Sequence, residues 1–219
     1  MHRFHRRGWR FRVAAMLGAT LSLVTLSAGL VGAQDLNRLG HTLGSADAPV
    51  EVIEFLDFGC SQCANFTAQT FGMVEREFLS KGQIRWRSVP FVGGAFRHSA
   101  FAAEAAECAA EQGRYFAMHD SLLARQKDWG RVGKPDRVLL DIARSVGADT
   151  IRFNDCVRSE RTRPRVRAHK AAALALRVYG TPTFLLQRER RVLGAIPTAQ
   201  FREILRTEVN GTGTPPSGR

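Results

Sequence analysis

The chain has 219 residues, which is room for one domain, or for one domain with a large insertion. Its 44% hydrophobic and 24% charged residues are ordinary for a globular protein and exclude a disordered or collagen-like chain. The formal net charge is +12, but residues 1–33 hold five arginines and no acid, which leaves 27 basic and 20 acidic residues, or +7, in the remainder. Because no nucleic-acid motif accompanies this excess, we expect no nucleic-acid partner.

The first 33 residues have the three parts of an export signal. A basic segment (1–12) precedes an apolar run (13–31), and the residues at 31–33 favour cleavage after Ala33. General secretion is favoured over twin-arginine export, because Gly8-Trp9-Arg10 after Arg6-Arg7 matches the twin-arginine signal poorly. The apolar run is also just long enough to span a bilayer, so an uncleaved membrane anchor is the alternative. In either case we expect the rest of the chain outside the cytoplasm, in the periplasm or another extracytoplasmic space.

The predicted elements after this segment begin with a strand over residues 49–58, which stops at Gly59, and a helix from Ser61 to about Leu79. A second strand is predicted over residues 83–89. A mainly helical stretch follows, with helices predicted over residues 100–111, 115–126, 137–145 and 164–179. The remaining predicted elements are strands over 183–187 and 192–196, a helix over 197–209 and a flexible tail.

The four cysteines divide into a close pair, Cys60 and Cys63, and two that stand apart in the sequence, Cys108 and Cys156. In an exported protein an even number of cysteines favours disulfides. A zinc site that uses all four is disfavoured because the chain has no second close pair of cysteines or histidines. Covalent haem is excluded because Ala64 stands where the attachment motif requires histidine.

Cys60 is predicted to lie at the turn between the first strand and the first helix, with its sulfur near the helix N-terminus. Unpaired backbone amides and the helix dipole favour a thiolate there, and the thiolate is the form that attacks a disulfide. Cys63 follows one turn later on the same face. A disulfide that closes so short a loop contributes about 2 kcal/mol in the chain-entropy model, so it opens easily. The pattern therefore favours a catalytic pair over an inert hairpin disulfide.

The order of the elements, with CxxC at a helix start and a late Thr-Pro, resembles the DsbA-type periplasmic thiol-disulfide oxidoreductases, particularly the branch with a compact helical domain. The matching segments are residues 48–50, 54–58, 60–63, 107–109, 112–115, 119–120 and 180–184. The resemblance implies an α/β protein, a thioredoxin-like fold with an inserted all-helical subdomain. The expected halves of the thioredoxin domain are residues 34–96 and 180–210, with the insertion over 97–179 and the tail over 211–219.

The resemblance also implies roles for individual residues. Cys60 corresponds to the nucleophile and Cys63 to the resolving cysteine. Glu54 matches a buried acid that helps to move the proton of the second thiol, although strand alternation leaves an exposed strand residue as the alternative. Pro182 matches a cis-proline that lies against the sulfurs, and the backbone of Thr181 would pair with a bound substrate strand.

The chain departs from the family pattern in two places. Ser61-Gln62 stands between the cysteines where strongly oxidising members have Pro-His, so no ring nitrogen at these two positions can stabilise the thiolate. Gly59 replaces a bulkier residue, which we expect to open the groove beside the sulfur.

Cys108 and Cys156 match places at which some relatives tie their helical domain by a permanent disulfide, with reduced buried thiols as the alternative.

The leading functional hypothesis is an exported, monomeric enzyme that inserts disulfides into newly exported proteins and needs no bound cofactor or metal. Its substrates would be protein or peptide thiols, and a quinone-coupled membrane partner of the DsbB or vitamin K epoxide reductase type would reoxidise it. One alternative is a reductase or isomerase kept reduced by a membrane electron donor. Only residues 34–48 precede the first predicted strand, too few for the dimerisation domain of DsbC-like isomerases. A peptide-binding chaperone with a vestigial disulfide is a further alternative.

Overall fold

The computed structural model describes residues 38–187 and 189–211. The predicted export signal at residues 1–33 and residues 212–219 of the predicted tail lie outside the described residues. Within the described part of the chain, none of the helices combines the length and the apolar character that crossing a membrane requires.

One mixed sheet holds the strands of the described residues. The strands are β1 (His41–Leu43), β2 (Val50–Leu56), β3 (Ile84–Pro90), β4 (Thr183–Leu186) and β5 (Arg190–Leu193), and they stand in the order β1-β3-β2-β4-β5. β2 and β3 are parallel, whereas β1, β4 and β5 each pair antiparallel with their neighbours. β2 is central and almost entirely buried, because its apolar side chains are covered on both faces of the sheet.

The first helix, α1, covers residues 61–79 and makes the crossover from β2 to the parallel strand β3. It is α-helical at Ser61–Phe66 and Gly72–Val74 and π-helical at Thr67–Phe71 and Glu75–Leu79. β2 ends at Leu56 and α1 begins at Ser61, so the N-terminus of α1 lies at the carboxyl end of the central strand.

Six further helices separate β3 from β4, and one follows β5. They are α2 (Ser99–Ala110), α3 (Tyr115–Ala124), α4 (Gln126–Trp129), α5 (Asp136–Ser145), α6 (Thr150–Ser159), α7 (Arg163–Ala175) and α8 (Thr198–Gly211). The alanine-rich α2 packs at the centre of the inserted helices, and its small side chains allow close helix contacts. This is the predicted thioredoxin-like α/β fold with helices inserted between β3 and β4.

An aromatic cluster fixes α1 and α8 against the sheet. The ring of Phe66 in α1 lies 4.5 Å from that of Phe184 in β4 and 5.0 Å from that of Phe201 in α8. Phe184 and Phe201 are 4.9 Å apart, and all three rings contact Trp86 of β3. Edge-to-face and tilted pairs of this kind add about 0.5–1.5 kcal/mol each beyond burial, so the helix that carries the CxxC motif is held firmly.

Three elements of the structure were not predicted, namely β1, the four-residue helix α4, and α6. β1 has only three residues and stands at the sheet edge, too short for an alternating pattern. α6 buries only Phe153 and Cys156, so its apolar stripe is weak, although Asp149 caps it by accepting hydrogen bonds from the backbone amides of Ile151 and Arg152. Short or mostly polar elements give little hydrophobic periodicity, which explains why the sequence did not predict these elements.

Three predicted boundaries were wrong. α7 ends at Ala175 rather than near residue 179, because Arg177 adopts a left-handed conformation with φ of 56°. The last strand begins at Arg190 rather than at residue 192, because the hairpin turn after β4 is tighter than the sequence suggested. The last helix continues to Gly211, which the prediction assigned to the flexible tail.

Candidate active site

The turn between β2 and α1 presents Cys60 as the N-cap residue of the helix, with φ of −78° and ψ of 118°. The backbone amide of Cys60 donates a hydrogen bond to the carbonyl oxygen of Asp57 at 2.9 Å. The buried carboxylate of Asp57 accepts from the amide of Gly59 at 2.8 Å and from the hydroxyl of Ser99 in α2. Asp57 therefore holds the turn in shape and ties it to the inserted helices.

Cys60 and Cys63 are both free thiols in the structure, and the side chains are 4% and 0% exposed. Across the site, Cys60 Sγ lies 3.3 Å from the carbonyl oxygen of Thr181 and donates a hydrogen bond to it. Cys60 therefore keeps a small exposed fraction, whereas Cys63 is completely covered by protein.

The two thiols differ strongly in acidity. The hydrogen bond from the Cys63 thiol, together with nearby backbone amides, lowers the pKa of Cys60 to about 6, although burial acts in the opposite direction. Burial raises the pKa of Cys63 well above its ordinary value, and the hydrogen bond with Cys60 and the charges of Cys60 and Glu54 raise it further. At neutral pH the pair thus consists of a thiolate at the helix N-terminus and a protonated thiol one turn inside.

Glu54 of β2 is 1% exposed, so the alternative of an exposed strand residue is wrong. Burial raises the pKa of its carboxyl group to about 7, despite the opposing charge of His119 and a hydrogen bond from Trp86 Nε1 to Oε2 at 3.2 Å. Among the described residues, the other oxygen, Oε1, is buried without a hydrogen-bond partner. A carboxyl group with these properties is half protonated near pH 7 and has a lone oxygen available for proton transfer.

The peptide bond between Thr181 and Pro182 is cis. These residues lie in the loop before β4, and they line a cleft of about 260 Å³ together with the exposed side chains of Tyr179 and Leu193. The structure thus brings Thr181 next to Cys60 across 121 residues of chain.

Gln126, at the start of α4, is a site residue that the sequence did not indicate. Its Nε2 donates hydrogen bonds to the carbonyl oxygens of Phe58 at 2.6 Å and Cys60 at 2.8 Å. The contact spans 66 residues and belongs to no motif, so only the tertiary structure reveals it. Gln126 holds the two backbone carbonyls on either side of Gly59.

The space that a side chain at Gly59 would take is already filled, so the missing side chain itself leaves no open groove there, which corrects the expectation from the sequence. A Cβ atom at this position would lie 2.4 Å from Phe96 Cβ and 2.7 Å from Ser99 Oγ. The loop before α2 thus fills the space that a bulkier residue would take. A glycine is required here because of this close approach.

Cys108 and Cys156 are joined by a disulfide with a Cα–Cα distance of 5.7 Å. Both are fully buried, and the bond ties α2 to α6 within the inserted helices. With these two sulfurs bonded to each other, a zinc site of four cysteine thiolates cannot form in this structure.

Comparisons with known proteins agree with this geometry. The thioredoxin family model matches residues 37–207. The oxidised crystal structure of BdbD from Bacillus subtilis superposes with a TM-score of 0.70 at 23% identity and covers 78% of this chain and 92% of that one. The probable disulfide bond formation protein D of Bacillus anthracis is 27% identical over 149 residues, which is 65% of this chain and 67% of that protein.

A different kind of protein also contains a matching region. The Na(+)/H(+) antiporter NhaA 3 of Salinispora tropica is 33% identical over 181 residues, which is 82% of this chain but only 26% of the antiporter. The chain thus spans about a quarter of the length of this relative, and the transport activity is not carried over. On the extent of the family match, the chain belongs to the thioredoxin family, and its fold is the one seen in the BdbD structure.

Proposed function

We propose that this protein is an exported oxidoreductase that oxidises cysteine pairs of secreted proteins by disulfide exchange at Cys60 and Cys63. The observation that carries the proposal is the unequal acidity of the pair, with a pKa of about 6 for Cys60 and a pKa well above the ordinary value for Cys63. The half-exposed cleft at Thr181 and Pro182 supports a polypeptide as the substrate.

The proposed reaction starts from the Cys60-Cys63 disulfide. A substrate thiolate attacks Cys60 Sγ, a bond forms between these two sulfurs, and the bond to Cys63 breaks. The second substrate thiolate then attacks the substrate sulfur of this mixed disulfide, and Cys60 leaves as a thiolate. A low pKa makes Cys60 the better leaving group, so the second step runs toward the oxidised substrate and the reduced enzyme.

Glu54 would supply the proton that Cys63 needs when it leaves. With a pKa of about 7, the carboxyl group is partly protonated at neutral pH, and its charge acts on the Cys63 thiol. A carboxyl group matched to the working pH in this way is a suitable general acid and, in the reverse direction, a suitable base. The proton therefore need not come directly from solvent.

An extended substrate segment is proposed to pair with the backbone of Thr181. The carbonyl oxygen of Thr181 lies 3.3 Å from Cys60 Sγ, so a substrate backbone amide that donates to this oxygen would bring its own chain beside the reactive sulfur. This is strand addition at an exposed backbone edge, which gives affinity without strict sequence selection.

The proposed cellular setting is extracytoplasmic, with residues 1–33 as the export signal or, in the alternative, as a membrane anchor. A quinone-coupled membrane protein of the DsbB or vitamin K epoxide reductase type would restore the Cys60-Cys63 disulfide. The proposal includes a monomer that acts without a bound cofactor. The name of the Bacillus anthracis relative, a probable disulfide bond formation protein, supports the oxidising direction.

A monomeric reductase, kept reduced by a membrane electron donor, is the second candidate. Ser61-Gln62 favours it, because neither side chain brings a ring nitrogen to the thiolate, as Pro-His does in strongly oxidising relatives. Stabilisation of the thiolate then depends on Cys63 and the backbone amides. The lowered pKa of Cys60 still favours the oxidase as the first candidate.

The two candidates are distinguished by mixing the purified protein with a model substrate. We expect the oxidised protein to introduce disulfides into reduced, unfolded ribonuclease with loss of its own disulfide, and the Cys60→Ser variant to be inactive. Thiol alkylation followed by mass spectrometry counts the disulfides on both proteins. No transfer to ribonuclease, together with rapid cleavage of insulin disulfides by the reduced protein, would favour the reductase.

A further inference from the structure

A second cleft, of about 390 Å³, adjoins Cys60 through its neighbours Gly59 and Ser61. It shares no lining residue with the cleft at Thr181. Its walls come from the loop before α2 and from α4 with the loop that follows. The other lining residues are Ala95, Phe96, Arg97, Gln126, Lys127, Gly130 and Arg131. We call it the Arg97 cleft.

The walls of the Arg97 cleft are fixed relative to Cys60. Gln126 donates hydrogen bonds to the carbonyl oxygens of Phe58 and Cys60, which anchors α4 to the catalytic turn. His98 Nε2 pairs with the carbonyl oxygen of Val132 at 2.8 Å, which joins the two loops to each other. Phe96 packs where a side chain at position 59 would stand. These contacts therefore hold the walls of the cleft in a fixed position beside the catalytic turn.

All the charged residues that line the Arg97 cleft are basic. Arg97, Lys127 and Arg131 are exposed, and in the described part of the chain none of them forms an ion pair. No acidic residue is among the lining residues. The nearest acid in sequence is Asp128, and its carboxylate is held by Arg125 Nε at 2.8 Å. Three cations around one concavity attract a carboxylate from solvent.

We propose that the Arg97 cleft binds an acidic side chain of the substrate polypeptide close to its reacting cysteine, so that the protein prefers cysteines with Asp or Glu nearby. The proposal rests on the proposed thiol-disulfide exchange at Cys60. A carboxylate in the cleft would hold the substrate on one side of the sulfur, while the backbone of Thr181 holds it on the other. Selection by charge then adds to the sequence-tolerant backbone pairing.

The test uses two synthetic peptides that differ only in charge. Each holds one cysteine as a 2-pyridyl disulfide, flanked by Asp and Glu in one peptide and by Asn and Gln in the other. The Cys60 thiolate of the reduced protein attacks the peptide sulfur, a protein–peptide disulfide forms, and pyridine-2-thione leaves. Cys63 then attacks Cys60 and releases the reduced peptide, so the protein ends oxidised. Absorbance of pyridine-2-thione gives the rate of the first step.

At low ionic strength we expect the acidic peptide to react about tenfold faster than the amide peptide, because the three cations that line the cleft attract its carboxylates. Raising the salt to about 0.5 M should reduce the ratio to about twofold. In the triple variant Arg97→Gln, Lys127→Gln, Arg131→Gln, the ratio should fall to about one. Because the ratio compares two peptides on the same protein, a change in the reactivity of Cys60 itself cancels.

A matched triple variant, Arg137→Gln, Arg152→Gln, Arg158→Gln, removes the same charge from exposed positions on α5 and α6 and should keep the tenfold preference. Equal rates for the two peptides with the wild-type protein, or a preference that survives in the first triple variant, would overturn the proposal. A failure of both peptides to react would instead contradict the proposed function, so the two failures are distinguishable.

Discussion

Cys60 Sγ and the carbonyl oxygen of Thr181 are 3.3 Å apart, although 121 residues separate them in the chain. Between them the chain forms α1, β3 and all six inserted helices. The contact therefore closes the thioredoxin-like core around the reactive sulfur. A substrate backbone that pairs with Thr181 is thereby placed beside the atom with which its cysteine must react.

The pH dependence of alkylation tests the acidity of Cys60. Because the thiolate is the reactive form and the pKa of Cys60 is about 6, the rate of its modification by iodoacetamide should rise through a midpoint near pH 6. Cys63 should stay unmodified in the folded protein up to about pH 9, since burial keeps it protonated. Mass spectrometry of the quenched samples assigns each site. Labelling of Cys63 before Cys60 would contradict the assignment of Cys60 as the nucleophile.

Glu54→Gln should change the pH dependence of stability. The pKa of Glu54 is raised in the folded protein. Its carboxyl group therefore contributes favourably to the free energy of unfolding below the unfolded pKa of 4.5, and this contribution is lost as the pH rises to about 7. Between these limits the free energy of unfolding of the wild type should fall by about 3 kcal/mol relative to the variant. Urea unfolding of the reduced proteins across this range measures the difference.

Glu203→Gln serves as the control for Glu54→Gln, because Glu203 is an exposed residue of α8. We expect its difference from the wild type to be independent of pH over the same range. If the Glu54→Gln profile also runs parallel to that of the wild type, Glu54 does not carry a raised pKa, and its proposed part in proton transfer loses its basis.

Removal of the Cys108-Cys156 disulfide should destabilise the protein. The bond closes a loop of 48 residues, and the chain-entropy model assigns about 4 kcal/mol to a loop of this length. Urea unfolding of the double variant Cys108→Ala, Cys156→Ala should therefore show a loss of about this size. A loss below about 1 kcal/mol would mean that the bond does not constrain the unfolded chain.

Gln126→Ala should weaken the catalytic turn, because the carbonyl oxygen of Phe58 loses its side-chain donor and that of Cys60 keeps only the backbone amide of Ala64. We expect a loss of about 1–3 kcal/mol in the free energy of unfolding. Gln126→Glu should be no better, since a carboxylate cannot donate to a carbonyl oxygen. Gln62→Ala, at an exposed position inside the CxxC motif, is the control. Equal stabilities of Gln126→Ala and Gln62→Ala would show that the two hydrogen bonds contribute nothing.

The sequence predicted the parts of the fold that local patterns determine. The apolar run of β2 and the helical spacing of α1 placed Cys60 at a helix N-terminus, where the structure has it. β1 was missed because three residues carry no periodicity, and α6 was missed because most of its surface is polar. Their formation depends on tertiary contacts, which a single-sequence pattern does not contain.

The same distinction applies to the site. Cys60 and Cys63 were evident from spacing, whereas Thr181 and Pro182 were identified only through resemblance to a family. Gln126 and Phe96 gave no signal, since each acts through contacts with residues far away in the chain. Gly59 was correctly singled out, but its role was misjudged, because the packing of Phe96 against it is a tertiary contact.

The equilibrium reduction potential of the Cys60-Cys63 couple tests the central claim most directly. It is measured in redox buffers on the purified protein, with the Cys108-Cys156 disulfide kept intact. Because a stabilised Cys60 thiolate favours the reduced form, the account predicts a potential above about −180 mV, as expected of a donor of disulfides. A potential near about −270 mV would contradict it and would mark the protein as an electron donor.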